Sequence, residues 1–253
     1  MPSVSPPSPV QLPALWLVRH GQSAGNVARD RAEASGAATI ELEGRDLDVP
    51  LSALGTRQSI ALGRWFAKLP AAERPTLVIS SPFARAMQTA QIVSDALAGS
   101  PVPLTHDERL REKEFGSLNR LTRAGIVARF PLEAEQRALI GKFYYRPPGG
   151  ESWCDVALRL RALFDHLRLF HAGERVLLVA HQVIVLCARY IIEALTEHDL
   201  LAIDRQGDVA NCAITSYVRR GAGLALTAYN VVAPLDAEGA AVTDEPDTAA
   251  CRA

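Results

Sequence analysis

Apolar positions along this chain fall into short continuous runs and longer stretches at helical spacing, and the two kinds alternate. Leu15–Val18 is the first short run and is predicted to be a buried strand. Residues 28–49 are Ala-rich, charged and weakly periodic, and read as a loop or irregular cover. Ser52 then stands as N-cap of a helix whose apolar face is Leu54, Ile60, Ala61, Leu62, Trp65, Phe66 and Leu69, with Pro70 past its end. Leu77–Ile79 is a second strand. Ser80-Ser81-Pro82 breaks it, and a helix follows from Phe83 to Val93. Val102–Leu104 reads as a short strand, 119–145 as helical, and 143–150 as a loop. A helix opening at Glu151-Ser152 carries the stripe Val156, Leu158, Leu160, Leu163, Phe164, Leu167 and Phe170. Arg175–Ala180 is a further strand, Val183–Leu195 an apolar helix, and 213–219 with 224–229 a hairpin at the sheet edge.

Strands alternating with helices predict an α/β fold, a three-layer α/β/α sandwich on a mostly parallel sheet. Residues 14–232 form its domain, and about 117–150 is a helical and loop insertion over the active site. The Pro- and Ser-rich stretch 1–13 has neither the basic nor the apolar region of a signal peptide and reads as a flexible lead. The Ala- and Asp-rich stretch 233–253 reads as a flexible tail.

Composition narrows the function. The 253 residues have a net charge of −1, which gives no general attraction for a polyanion, so nucleic acid is not an expected partner. No apolar run is long enough to span a membrane. Cys154, Cys187, Cys212 and Cys251 are widely spaced with no CxxC pair, which points to a reduced, cytoplasmic setting without disulfides or zinc. Cys187 sits in an apolar run as a core residue. The apolar hairpin after Ala213 would allow a homodimer across the sheet edge.

The chemistry gathers where strands end. Leu15–Val18 runs directly into Arg19-His20-Gly21, and Arg175–Ala180 into His181-Gln182. In open α/β sheets ligands bind at the carboxyl ends of strands. Arg19 brings a fixed charge and a donor fork suited to phosphate, and His20 brings a nucleophile largely neutral near pH 7. Arg85 lies in the first turn of the helix after Pro82, where helix N-terminus and guanidinium both suit an anion. The charged run Asp107–Gly116 holds carboxyls, one of which would serve as proton donor. Imidazoles and guanidiniums converging on one point fit phosphoryl transfer through a phosphohistidine, with no metal or cofactor required.

Five motifs in order carry a resemblance: Leu17-Val18-Arg19-His20-Gly21-Gln22-Ser23 with Asn26; 80–90 around Arg85; Leu110-Arg111-Glu112 with Gly116; Gly150-Glu151-Ser152; and Val179-Ala180-His181. Together they resemble the histidine phosphatase superfamily, the phosphoglycerate-mutase-like proteins. The resemblance implies His20 as the phosphorylated nucleophile. It implies Arg19, Arg85 and His181 as holders of the phosphoryl oxygens, Asn26 as a further donor, and Glu112 as general acid with Glu114 its rival. Gln22, Ser23 and Gln182 complete the expected phosphate and substrate contacts. Gln182 departs from the family's usual Gly, so it is either strained at positive φ or free to offer its amide to substrate. The insertion, with Phe143-Tyr144-Tyr145-Arg146-Pro147, resembles the phosphatase branch, and Tyr144, Tyr145 and Phe115 either wall a leaving group or pack the insertion. The expected activity is metal-independent hydrolysis of a small-molecule phosphomonoester. The alternatives are a phosphoglycerate mutase and a catalytically silent phospholigand-binding protein. The substrate stays open among sugar phosphates, nucleotides, phosphoglycerate derivatives and phosphoproteins.

Overall fold

The computed structural model describes residues 12–97 and 102–244. Six strands form one mixed sheet in the order β3-β2-β4-β1-β5-β6. They are β1 (Ala14–Arg19), β2 (Leu77–Ser80), β3 (Leu104–His106), β4 (Arg175–Ala180), β5 (Ile214–Arg220) and β6 (Gly223–Val231). The first four in that order run parallel, and β5 and β6 add an antiparallel hairpin beside β1. The side chains of β1 divide the sheet's two faces at period two. Leu15 and Leu17 point into a core built with α6 (Trp153–Phe170) and α7 (Gln182–Ile192). Ala14, Trp16 and Val18 point into a core built with α2 (Ala53–Lys68) and α3 (Ala84–Ala96). The expected three-layer sandwich is the one observed. Cys187 is fully buried, and burial raises its thiol pKa.

Five expectations change. Residues 24–35, two thirds of them inside the expected loop, form α1 (Ala24–Ser35). Its apolar face is weak, so its stability rests on its ends: Ser23 and Asn26 make a reciprocal capping box, and Gly36 closes it at φ 68°. The third strand lies at 104–106 because its pairing with β2 begins at Leu104. On α6, Leu158 and Phe170 lie off the buried stripe and are exposed. The flexible tail expected from Ala233 does not hold for 233–244. There α9 (Ala233–Ala237) buries Leu235 against the core beside α2, and Gln58 donates to the Ala241 carbonyl. Leu12 and Pro13 also join the fold, Leu12 in the core and Pro13 accepting from the Arg219 N–H. The rest of the expected lead, 1–11, and of the tail, 245–253 with Cys251, lies outside the described residues. The helix α8 (Glu197–Gln206), capped by Thr196, was not anticipated.

Residues 117–150, the expected insertion, contain α4 (Arg123–Arg129) and α5 (Pro131–Ile140). They have a small core of their own, Leu118, Leu121, Ile126 and Tyr145.

The turn after β1 rests on the start of α2. The Gln22 carbonyl accepts from Ser52 N–H at 2.8 Å, and Ala24 N–H donates to Pro50 at 2.9 Å. This contact demands glycine: a Cβ on Gly55 would lie 2.0 Å from the Gln22 carbonyl oxygen. Gly55→Ala is therefore expected to destabilise the chain by about 2–3 kcal/mol in chemical denaturation. A change within about 0.5 kcal/mol would show that this contact does not set the turn.

Candidate active site

Strand pairing brings three chain-distant residues to one edge of the sheet. β1 and β4 pair in parallel with Arg19 opposite Ala180, and the His20 N–H donates to the Ala180 carbonyl at 2.9 Å. β2 pairs with β4 on its other side, and the Ser81 N–H donates to Val179 at 2.9 Å. His20, His181 and Ser81 thus leave three adjacent strands side by side. The two imidazole centroids are 5.2 Å apart, and both rings are fully buried. His181 Nε2 shares a hydrogen bond with Ser81 Oγ at 2.8 Å, and its Nδ1 is 3.6 Å from Glu112 Oε2. Phe83 packs edge-on against the His181 ring.

The His20 tautomer follows from its neighbour. Nδ1 lies 2.7 Å from the Gly21 carbonyl oxygen. A carbonyl only accepts, so Nδ1 carries the proton and the lone pair of the neutral ring resides on Nε2. The backbone around it is fixed: Gly21 N–H donates to Thr89 Oγ1, and Asn211 Nδ2 donates to the His20 carbonyl.

The other expected residues take distinct places. Arg19 is fully buried, and its Nη1 donates to the Val209 carbonyl at 2.6 Å. Asn26, Arg85 and Glu112 line one cavity with Ser23, Gly25, Ile40, Leu42, Asp46, Phe115, Asn119 and Arg120. Asn26 and Ser23 also bind one another in the α1 cap. Gln22 offers its N–H to Gln58 Oε1 and accepts from Ser52 Oγ, contacts that hold the turn. Gln182 is the first residue of α7 and is absent from the positive-φ residues, so its side chain brings no strain there. Its amide donates to Asp208 Oδ1 at 2.7 Å. Of the two rival carboxyls, Glu112 is buried beside His181, whereas Glu114 is exposed and accepts from the Gly116 N–H. Among the aromatic residues, Phe115 lines the cavity. Tyr145 is buried against Glu133, and Tyr144 is over half exposed.

Sequence reasoning passed over Ser81, Asp46 and the role of Glu151. Ser81 had a signal, its place at a strand end. Asp46 sits in an exposed-looking charged loop and meets Arg85 only in three dimensions. Glu151 organises the segment that carries Glu112. It accepts from Arg159 Nε at 2.9 Å, Arg111 Nη2 at 2.5 Å and the Glu114 N–H at 3.1 Å, while Arg159 also donates to the Arg109 carbonyl. Burial pushes the Glu151 carboxyl up. The hydrogen bond and charge of Arg159, the Glu114 N–H and the charge of Arg111 outweigh it and hold the carboxyl below its ordinary range. A depressed carboxyl stabilises the fold fully above its unfolded pKa, about 4.3, and loses that contribution as pH falls through its folded value. Glu151→Gln is accordingly expected to cost about 2 kcal/mol near pH 7. The gap to wild type should close in denaturation curves below about pH 4. A gap that stays constant from pH 7 to 3 would contradict this role.

Comparison with known proteins gives the site a context. Residues 15–232 match the family model of the histidine phosphatase superfamily, branch 1. A 2,3-bisphosphoglycerate-dependent phosphoglycerate mutase of Gloeobacter violaceus is 33% identical over 175 residues, 66% of this chain and 69% of that protein. The fructose-2,6-bisphosphatase TIGAR of Xenopus tropicalis is 30% identical over 155 residues, 61% of this chain and 49% of that protein. The solved structure of a mycobacterial glucosyl-3-phosphoglycerate phosphatase with VO3 superimposes with a TM-score of 0.66 at 26% identity, covering 86% of this chain and 99% of that one. A fold, a strand-edge pair of histidines and a family match over nearly the whole domain agree, and the chain belongs to the histidine phosphatase superfamily.

Proposed function

We propose that the chain hydrolyses phosphomonoesters of small molecules through a phosphohistidine on His20, without a metal ion. The observation that carries this reading is the meeting of His20 with His181 and Glu112 at one sheet edge, with the His20 proton held on Nδ1. Nε2 of His20 attacks phosphorus while the bond to the leaving oxygen breaks. Arg19, Arg85 and His181 hold the phosphoryl oxygens, and Asn26 adds a donor, so positive charge meets the transition state without reorganisation. Glu112, protonated, gives its proton to the leaving oxygen. As carboxylate it then takes a proton from the water that attacks the phosphohistidine, releasing phosphate and restoring His20. Gln22, Ser23 and Gln182 act through the turn and α7 rather than as principal phosphate donors, in keeping with their bonds to Ser52, Asn26 and Asp208.

Hydrolysis is supported by the likeness to the mycobacterial phosphatase, 26% identical over 86% of the chain, and to the bisphosphatase TIGAR, 30% identical over 61% of it. The Gloeobacter mutase, at 33% identity, keeps phosphoryl return to substrate as the second reading. Phosphate release from p-nitrophenyl phosphate and from 3-phosphoglycerate separates the two: a mutase isomerises the latter with no net phosphate. His20→Ala is expected to lower kcat at least about 10⁴-fold, Glu112→Gln about 10²–10³-fold, and Glu114→Gln less than about threefold. Near-wild-type turnover in His20→Ala, or a larger loss in Glu114→Gln than in Glu112→Gln, would overturn these roles.

A further inference from the structure

Arg85 gives its terminal donors to a carboxylate of this same chain. Its Nη1 donates to Asp46 Oδ1 at 3.1 Å and to the Asp46 carbonyl at 3.0 Å, and Nη2 lies 3.5 Å from Oδ2. Two carboxylate oxygens facing two guanidinium nitrogens is the geometry in which a phosphoryl group also binds arginine. The Arg85 side chain is 5% exposed and that of Asp46 35%, so the pair is shielded on the arginine side and open on the carboxylate side. Both residues line the cavity that holds Glu112.

The loop carrying Asp46 is held in place. Arg120 donates to the carbonyls of Leu42 and Gly44 and accepts from the Ile40 N–H at 2.8 Å. Thr122 Oγ1 donates to Ala37 at 2.6 Å. These bonds stitch residues 37–44 to the insertion, and Asp46 follows two residues later. Its carboxylate therefore meets Arg85 from a tethered segment, which keeps its local concentration at the guanidinium high.

We propose that Asp46 sets the affinity of the site by competing with the phosphoryl group for Arg85 and so weakens the binding of phosphate monoanions and dianions; this rests on the phosphatase reading above. An anion entering the site displaces the carboxylate from the Nη1–Nη2 edge. When phosphate leaves after hydrolysis, Asp46 re-forms its pair with Arg85. Competition lowers affinity for the product inorganic phosphate as well as for substrate.

The test is binding of inorganic phosphate by titration calorimetry, together with its inhibition constant against p-nitrophenyl phosphate. Wild type, Asp46→Asn, Asp46→Ser and Glu43→Gln are compared. Glu43 is an exposed carboxylate of the same loop and controls for net charge. Asp46→Asn and Asp46→Ser are expected to bind phosphate about two- to fivefold more tightly, the upper range of an ion pair at the edge of solvent, with KM falling alongside. Glu43→Gln is expected to change binding less than twofold. A tighter site cannot come from structural damage, which weakens binding. If the wild type binds and releases phosphate but both Asp46 variants bind it no more tightly, the competition is refuted while the phosphatase reading stands. Equal tightening by Glu43→Gln would also refute it, leaving only a long-range charge effect. Wild type that neither binds phosphate nor releases it from p-nitrophenyl phosphate would overturn both.

Discussion

The parallel pairing of β1 with β4 is the constraint on which the site depends. A parallel ladder in register sends both strands out of the sheet at the same edge, so whatever follows Arg19 and Ala180 emerges together. Here that is His20 and His181, locked by the bond from the His20 N–H to the Ala180 carbonyl. Because β2 flanks β4 in the same direction, Ser81 emerges beside them and fixes the second imidazole. No loop conformation has to be found for these three groups to meet. Their spacing is inherited from the sheet, which two apolar layers hold rigid.

Placing charge at such an edge has a cost, because the edge is buried. Ions removed from water must find fixed partners or lose their charge. Arg19 meets a backbone carbonyl at Val209, Glu112 accepts from the Lys113 N–H, and Glu151 gathers two arginines around the segment that bears Glu112. Arg85 is buried too, but it pairs with a partly exposed carboxylate on a cover loop. Arg19, Glu112 and Glu151 are held by backbone groups and arginines of the scaffold, while Arg85 has its partner on a loop.

Much of this was legible in the residues, and the exceptions have physical reasons. Strand ends were readable because buried parallel strands are continuous apolar runs, and polar residues stop them abruptly at Arg19, Ser80 and His181. Glu112 over Glu114 was readable as a motif position, and burial agrees with that choice. The helix α1 was missed because its pattern is weakly amphipathic and its definition lies in the Ser23–Asn26 cap and Gly36. Docking of 233–244 was missed because a short Ala- and Asp-rich segment betrays its apolar anchor, Leu235, only when the core is assembled. The pairs Asp46–Arg85 and Gln182–Asp208 join residues far apart in the chain, and no local pattern announces them. Gln182 illustrates the limit well: its replacement of an expected Gly raised the question of strain, and only the backbone, helical and without positive φ, answers it.

In the proposed mechanism His20, through Nε2, becomes covalently phosphorylated during turnover. The most direct measurement is rapid acid-free quenching of the enzyme with p-nitrophenyl phosphate, followed by mass spectrometry of peptides under alkaline conditions that preserve phosphohistidine. The expected result is one phosphoryl group on the peptide containing His20, stable to base, labile to acid, and assigned to Nε2 by ³¹P resonance. Turnover with phosphate release but no phosphoryl group on His20, or a phosphoryl group found on His181 instead, would contradict it.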